Sequence, residues 1–203
     1  MFKLLTSAAA ILLTVAGLAS AQTPPGFSPE VTARLEIIFG TKSVMTPGQS
    51  MTKAETAKQP TVGISDSPTS LSGTYLWMMI DQDVPANFQN PSAGGRRTNL
   101  HAMISGFKMS GANTTITMSD GTPMAVYTLT STATGPVAYV GPVPPAETPA
   151  HPHRYVNLLY ETPKDFAVTK AQVGQTLGFN LTQFVAANGL GLPVRGNWFN
   201  VTA

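Results

Sequence analysis

The stretch Tyr75-Leu76-Trp77-Met78-Met79-Ile80, which runs directly into Asp81-Gln82-Asp83-Val84-Pro85, decides the fold. Six consecutive apolar residues are typical of a buried strand, and a proline predicts where that strand stops pairing. Side chains two positions apart share a face of an extended chain, so we expect Asp81 and Asp83 to project together. The sequence therefore predicts a buried strand that delivers two carboxylates to one end of a sheet.

Polar groups accompany two further strand-like segments in the same way. One is Leu100-His101-Ala102-Met103-Ile104, and the other is His153-Arg154-Tyr155, which opens Val156-Asn157-Leu158-Leu159-Tyr160. Acids, imidazoles and a phenol at strand ends predict a pocket rather than an open surface. Each group also has a structural interpretation, because Asp-x-Asp before proline often builds a turn and a lone histidine among apolar residues is often a core residue.

Other ionisable residues near these segments are interpreted as loop residues. Arg96 and Arg97 follow Gly94-Gly95 and are predicted to lie in a solvated loop. His151, which is separated from His153 by one proline, is also interpreted as a loop residue.

Short apolar segments separated by Gly, Pro and Ser/Thr clusters recur along the chain. Strands are predicted near residues 35–39, 62, 74–80, 100–105, 114–118, 124–129, 155–160, 176–180 and 193–201. Residues 181–187 have helical spacing and are followed by Asn188-Gly189, a typical helix stop. Many short strands and few helices predict an all-β fold of the β-sandwich type.

The N-terminal residues have the pattern of a secretory signal peptide. Met1-Phe2-Lys3 is a short basic lead, residues 4–18 are apolar, and Ala19-Ser20-Ala21 matches the small-x-small cleavage pattern. We expect cleavage after residue 21, secretion from the cell, and a single domain over residues 22–203. The apolar stretch is shorter than the roughly 20 residues that a membrane span needs, so no transmembrane segment is predicted.

Composition excludes several classes of function. The 203 residues contain no cysteine, which rules out thiol catalysis and thiolate metal sites, and we predict neither a cofactor nor a metal. With 12 basic and 10 acidic residues, the chain lacks the clustered cations that nucleic acid requires. Asn-x-Ser/Thr sequons at Asn113, Asn180 and Asn200 predict glycosylation in a secretory pathway.

Five motifs follow one another in a specific order. They are Asp81-Gln82-Asp83-Val84-Pro85, Leu100-His101, Gly141-Pro142-Val143-Pro144-Pro145, His153-Arg154-Tyr155 and Pro193-Val194-Arg195-Gly196-Asn197-Trp198-Phe199. In this order and spacing the chain resembles the phosphatidylethanolamine-binding protein family. The resemblance implies a large central antiparallel sheet, a smaller second sheet, few short helices and a small anion pocket, which in the family accepts a phosphate.

The resemblance also implies which residues form that pocket. The ligand-binding residues would be Asp81, Pro85, His101, Pro144, His153 and Tyr155, and the residues that support the pocket wall would be Asp83 and Arg154. Two imidazoles supply donors to a phosphate, more strongly when they are protonated. A carboxylate bonded to the far nitrogen of a histidine orients the ring and favours its charged form.

These observations lead to three hypotheses about function. The first is a secreted, non-catalytic binding protein for a phosphate-bearing ligand such as a phospholipid head group. The second, from the family resemblance, is a protease inhibitor or signalling modulator acting through surface loops at residues 41–60 and 86–98. The third is a hydrolase in which Asp81, His101 and His153 form an acid/base site or, together with His151, bind a divalent metal. No Gly-x-Ser-x-Gly or His-Glu-x-x-His motif is present.

Overall fold

Residues 21–203 are described by the computed structural model. The predicted signal peptide at residues 1–21 therefore lies, apart from its last residue, outside the described part of the chain. Within residues 21–203 the structure contains no helix with the length and apolar character of a membrane span.

Strands make up most of the regular structure. They are β1 (Glu36–Phe39), β2 (Lys42–Ser43), β3 (Gln49–Met51), β4 (Thr61–Ile64), β5 (Tyr75–Pro85), β6 (Arg96–Thr117), β7 (Pro123–Thr130), β8 (Pro136–Val137), β9 (His153–Glu161) and β10 (Arg195–Val201). The helices are α1 (Lys170–Val173) and α2 (Leu181–Ala187), and Pro68–Ser70 forms a 3-10 turn. The helix predicted at residues 181–187 is confirmed.

The long strand β6 joins the two halves of one curled sheet. Its first half pairs with β5 and its second half pairs with β7, in the strand order β2-β1-β4-β7-β6-β5-β9-β10-β3, with β8 beside β6. Strands β3 and β10 run parallel, whereas the other strand pairs within residues 21–203 are antiparallel. The all-β prediction is confirmed, with one parallel pair that makes the sheet mixed.

Strand β5 lies in the interior, and both of its faces are covered. Trp77 and Met79 belong to an apolar cluster to which both halves of the sheet contribute. Leu76 and Met78, on the opposite face, belong to a second cluster that includes Phe184 of α2. A strand covered on both faces has no side that favours polar residues, which explains the unbroken apolar run at its start.

The strand predicted at residues 176–180 is wrong. Leu177 makes only an isolated bridge to Asn99, flanked by backbone hydrogen bonds from Leu100 to Thr176 and from Gly178 to Thr98. Gly178 has a φ of 77°, which turns the chain out of the extended conformation after one residue of pairing.

Three neighbouring strands bring the predicted site residues to one edge of the sheet. Strand β5 lies between β6 and β9 and is antiparallel to both, so its C-terminal end lies beside their N-terminal ends. Asp81 is opposite Asn99 on one side and Tyr155 on the other. This topology explains how residues that are far apart in sequence meet.

Candidate functional site

Four of the predicted site residues form one buried cluster at this edge. Asp81, His101, His153 and Tyr155 are each at most 7% exposed. His153 bonds to Asp81, and the ring of His101 packs edge-on against that of Tyr155 with 5.2 Å between centroids. Three stretches of the chain therefore converge on one cluster.

His153 is held between two carboxylates. Its Nδ1–H donates to Asp81 Oδ2 over 2.8 Å, and its Nε2–H donates to Glu147 Oε1 over 3.1 Å. Because ionised carboxylates only accept hydrogen bonds, His153 makes both contacts when both of its ring nitrogens carry protons, that is, as a cation. Burial alone would lower the pKa of His153, but the hydrogen bond to Asp81, reinforced by that to Glu147, raises it.

Glu147 was not predicted as a site residue, yet it is central to the cluster. It lies in the proline-rich loop, residues 138–152, and its side chain is 1% exposed. Arg96 Nη1 donates to Oε1 and Nη2 donates to Oε2, each over 2.7 Å. These bonds, with the one from His153, lower the pKa of Glu147 to about 2.

The interpretation of Arg96 as a solvated loop residue is therefore wrong. Arg96 begins β6, and its side chain is 23% exposed. Besides Glu147 it donates to the carbonyl oxygen of Asp83 over 2.9 Å. Its charge is engaged by a buried carboxylate rather than by water.

Asp83 and Arg154 form a second ion pair at the same edge. The backbone N–H and Nε of Arg154 donate to Asp83 Oδ2 over 2.9 and 2.8 Å, and Nη2 donates to Oδ1 over 2.8 Å. Burial raises the pKa of Asp83, but these hydrogen bonds outweigh it and leave the pKa below its ordinary value. The pairing itself was expected, and its part in supporting a ligand pocket stays a prediction.

His101 has the opposite electrostatic character from His153. Its Nδ1–H donates to the carbonyl oxygen of Val140 over 2.9 Å, and its Nε2 accepts from the Asn99 amide over 3.2 Å. This set of partners fits a neutral ring, with one nitrogen donating and the other accepting. Burial lowers the pKa of His101 accordingly.

Tyr155 contributes a hydroxyl that is buried close to the Asp81 carboxylate. Its ring stacks on Phe199, with centroids 5.4 Å apart and 16° between the planes. Phe199 belongs to the last of the five sequence motifs, so that motif packs against the cluster through Tyr155. Burial, followed by the nearby charge of Asp81, raises the pKa of the Tyr155 hydroxyl beyond its ordinary range.

The remaining predicted residues lie around this cluster. Pro85 is buried at the end of β5 opposite Arg96, and Pro144 is buried in the proline-rich loop. His151 lies beside His153, with 6.2 Å between ring centroids. The sequon residues are elsewhere: Asn113 and Asn180 are exposed, and Asn200 is half-buried and donates to the Gly48 carbonyl.

The two histidines predict that the free energy of unfolding is greatest near pH 6.5, the ordinary pKa of histidine. The raised pKa of His153 gives stability that is complete below pH 6.5 and is lost as the pH rises through the folded-state value. The lowered pKa of His101 makes stability fall as the pH drops from 6.5 toward its folded-state value. Urea denaturation across pH 5–9 should therefore show a maximum in the free energy of unfolding. His101 causes the decline on the acid side of that maximum, and His153 causes the decline on the alkaline side.

Single variants separate the two sides of that profile. His153→Gln should remove the loss of stability on the alkaline side, and His101→Gln should remove the loss on the acid side. Glu147 adds a decline only below about pH 4.5, because its unfolded pKa lies there and its folded pKa is about 2. An alkaline decline that is unchanged in His153→Gln would contradict the assignment.

The cluster as a whole is charge-balanced. The carboxylates of Asp81, Asp83 and Glu147 face the cations of Arg96, Arg154 and His153. Buried charges are tolerated when each has a partner, so the network can remain in the interior as it stands. Chemically it offers a guanidinium and an imidazolium that converge on one oxyanion, here supplied by the chain itself.

Comparisons with known proteins agree with the fold and the motifs. The model of the phosphatidylethanolamine-binding protein family matches residues 41–199. The chain is 28% identical over 205 residues to phomoidride biosynthesis cluster protein N of Talaromyces stipitatus, covering 93% of this chain and 94% of that protein.

Two solved structures share the fold. A carboxypeptidase Y inhibitor complexed with its cognate proteinase has a TM-score of 0.57 at 18% identity, covering 85% of this chain and 84% of that one. The phosphatidylethanolamine-binding protein of Plasmodium vivax has a TM-score of 0.55 at 19% identity, covering 87% and 91%. With a family model that spans most of its length and this shared architecture, the chain belongs to the phosphatidylethanolamine-binding protein family.

Proposed function

We propose that this chain is a secreted, non-catalytic binding protein whose site takes a phosphate-bearing ligand, such as a phospholipid head group. One observation carries the proposal: Arg96 and His153 direct charged N–H groups at the same carboxylate oxygen of Glu147. A guanidinium fork and an imidazolium are strong, charge-assisted donors to carboxylates and phosphates alike. Membership of a family named for binding phosphatidylethanolamine supports the same ligand class.

Secretion is part of the proposal and rests on the sequence. The leader at residues 1–21 has the signal-peptide pattern, and the three sequons fit passage through a secretory pathway. Asn113 and Asn180 are exposed, which is what attachment of a glycan requires. Mass spectrometry of protein from the culture medium tests both points through the N-terminal residue and the glycan mass.

Titration with inorganic phosphate tests the binding proposal. We expect saturable shifts of the His153 ring signals and the Arg96 side-chain signals in NMR spectra at millimolar phosphate. Chloride at the same ionic strength serves as the control and should leave these signals in place. Phosphorylethanolamine, compared with phosphate, then shows whether the head group adds affinity beyond the phosphate itself.

Failure of the binding proposal has a definite signature. If neither phosphate nor phosphorylethanolamine moves the His153 signals more than chloride does, in the protein and in a variant that lacks the Glu147 carboxylate, the site does not take oxyanions. Protease inhibition, suggested for a protein of the same fold by the carboxypeptidase Y inhibitor complex, can be assayed on the same sample. Variants in the loops at residues 41–60 and 86–98 address that alternative.

A second candidate function is acid–base chemistry in the synthesis of a small molecule. The name of the Talaromyces stipitatus relative, a biosynthesis cluster protein, favours it. His153 has a raised pKa and His101 a lowered one, and groups whose surroundings push their pKa values apart are the usual acid and base of an enzyme. Metabolite profiles of a strain carrying His153→Gln, compared with a deletion strain, test this role. Loss of the same product from both strains supports it, and an unchanged product in the His153→Gln strain rules it out.

A further inference from the structure

The oxyanion site of this chain is occupied by one of its own side chains. Both oxygens of the Glu147 carboxylate accept from Arg96 over 2.7 Å, and Oε1 also accepts from His153 over 3.1 Å. The Glu147 side chain is 1% exposed and His153 is equally buried. The donors that would hold an external anion are therefore already satisfied from within.

We propose that Glu147 is a built-in competitor for the oxyanion site, so that an external anion binds by displacing the Glu147 carboxylate and moving the proline-rich loop. The inference rests on the proposed function and specifies how that function is regulated. It also assigns Arg96 and His153 Nε2 as the donors that the ligand takes over.

Charge balance supports displacement over simple addition. With Glu147 in place, the three carboxylates and three cations of the cluster cancel. A phosphate that entered beside Glu147 would add negative charge next to Asp81 and Asp83 in a buried site, where like charges repel strongly. A phosphate that replaces Glu147 meets the same two donors, and as the monoanion it restores the balance.

The proline-rich loop is attached in a way that links its movement to both histidines. At its start, the N–H of Val140 donates to the His101 backbone carbonyl over 2.8 Å, and the Val140 carbonyl accepts from the His101 ring. Near its end, Ser92 donates to the Thr148 carbonyl over 2.6 Å, next to Glu147. Between these attachments Val143 is 73% exposed, so the middle of the loop is open to solvent.

Acidification within the ordinary range does not release Glu147. Its hydrogen bonds to Arg96 hold its pKa at about 2, with a further lowering by His153. Asp81 and Asp83 in turn raise the pKa of His153. Displacement therefore depends on a competing anion rather than on protonation of the carboxylate. We expect occupancy of the site to rise with phosphate concentration, and the phosphate affinity to change little between pH 5 and 7.

Glu147→Gln is the direct test, because glutamine keeps the shape of the side chain and removes its negative charge. Isothermal titration with inorganic phosphate should show at least about a tenfold gain in affinity over the unmodified protein, or about 1.4 kcal/mol. Glu161→Gln is the matched control: it removes one carboxylate at the exposed far end of β9, about 26 Å along the strand from His153. It should leave the phosphate affinity unchanged.

Two further variants test whether a change in phosphate affinity comes from the site itself or from misfolding of Glu147→Gln. Glu147→Ala removes the competing group entirely and should also bind phosphate more tightly. Adding Arg96→Gln to Glu147→Gln should lower the affinity again by about tenfold, since the guanidinium is the main donor. Thermal unfolding of each variant, measured in parallel, establishes that the folded protein is being titrated.

The possible outcomes separate this inference from the proposed function. Equal phosphate affinity in the unmodified protein and in Glu147→Gln overturns the inference and leaves the proposed function standing. Absence of binding in both overturns the two together. A readout without ligand adds a check: Glu147→Gln should lower the pKa of His153 in an NMR titration, and an unchanged pKa also overturns the inference.

Discussion

Replacing Asp81 by alanine is expected to destabilise the folded domain by about 3–5 kcal/mol at pH 6, the cost typical of removing one partner from a buried ion pair. Asp81 is 2% exposed, and its two oxygens accept from His153 Nδ1 and from the backbone N–H of Asp83. Without the carboxylate, the charged ring of His153 loses its closest counter-ion in a site closed to water. The loss of stability in Asp81→Ala should be smaller at pH values above the pKa of His153, because burial of the neutral ring costs less free energy.

Asp81→Asn separates charge from hydrogen bonding at the same position. Asparagine can still accept from Asp83 and can donate to a neutral His153 ring, so we expect a smaller loss, about 1–3 kcal/mol. Urea denaturation supplies the stabilities, and nitrogen-15 spectra report which nitrogen of His153 carries the proton. Asp66→Ala is the control, since Asp66 is 54% exposed in its pair with Arg195 and should cost no more than about 1 kcal/mol. Equal losses for Asp81→Ala and Asp66→Ala would show that burial of the pair does not matter.

The fold was predictable because its central strand has a simple pattern. The apolar run of β5 has no polar face, and both of its faces are covered in the structure. The short edge pairs were not predictable in the same way. Strands β2 and β8 have two residues each, and their pairing depends on neighbours that only the folded chain brings together.

The candidate site was predictable in part, for a physical reason. Asp81, His101 and His153 stand at the ends of apolar strands, so their positions follow from the sheet once the strands are recognised. Glu147 and Arg96 carry no such signal. Glu147 lies between prolines in an irregular loop, and its partner Arg96 is 51 residues away, so only the tertiary structure pairs them.

This difference has a consequence for interpreting the site. The family motifs indicate which residues form an anion pocket, but they do not show what occupies it in this chain. In the structure, Arg96 and His153 hold a carboxylate from the proline-rich loop, and that loop is itself attached to the core through Tyr139. The Tyr139 hydroxyl donates to the Thr56 carbonyl over 2.5 Å, and its ring stacks on Trp77 with 6.2 Å between centroids.

Trp77→Ala is therefore expected to affect both the core and the loop, with a loss of stability of about 3–5 kcal/mol. Trp77 is fully buried, packs edge-on against Phe107 and stacks on Tyr139, so its removal leaves a large cavity between them. Its indole N–H donates to Asn157 Oδ1 over 3.2 Å, and Asn157 is also fully buried. The variant thus combines loss of packing with an orphaned buried acceptor.

Trp77→Phe divides that loss into its two parts. Phenylalanine retains one aromatic ring in the stack but removes the donor to Asn157 and part of the indole volume, so we expect a loss of about 1–3 kcal/mol. Phe88→Ala is the surface control, because Phe88 is 52% exposed and its removal should change the stability by no more than about 0.5 kcal/mol. If the alanine and phenylalanine variants of Trp77 lost the same amount, packing of the indole would not be what stabilises this region. In that case the stacking of Tyr139 on Trp77 would not be the contact that attaches the proline-rich loop to the core.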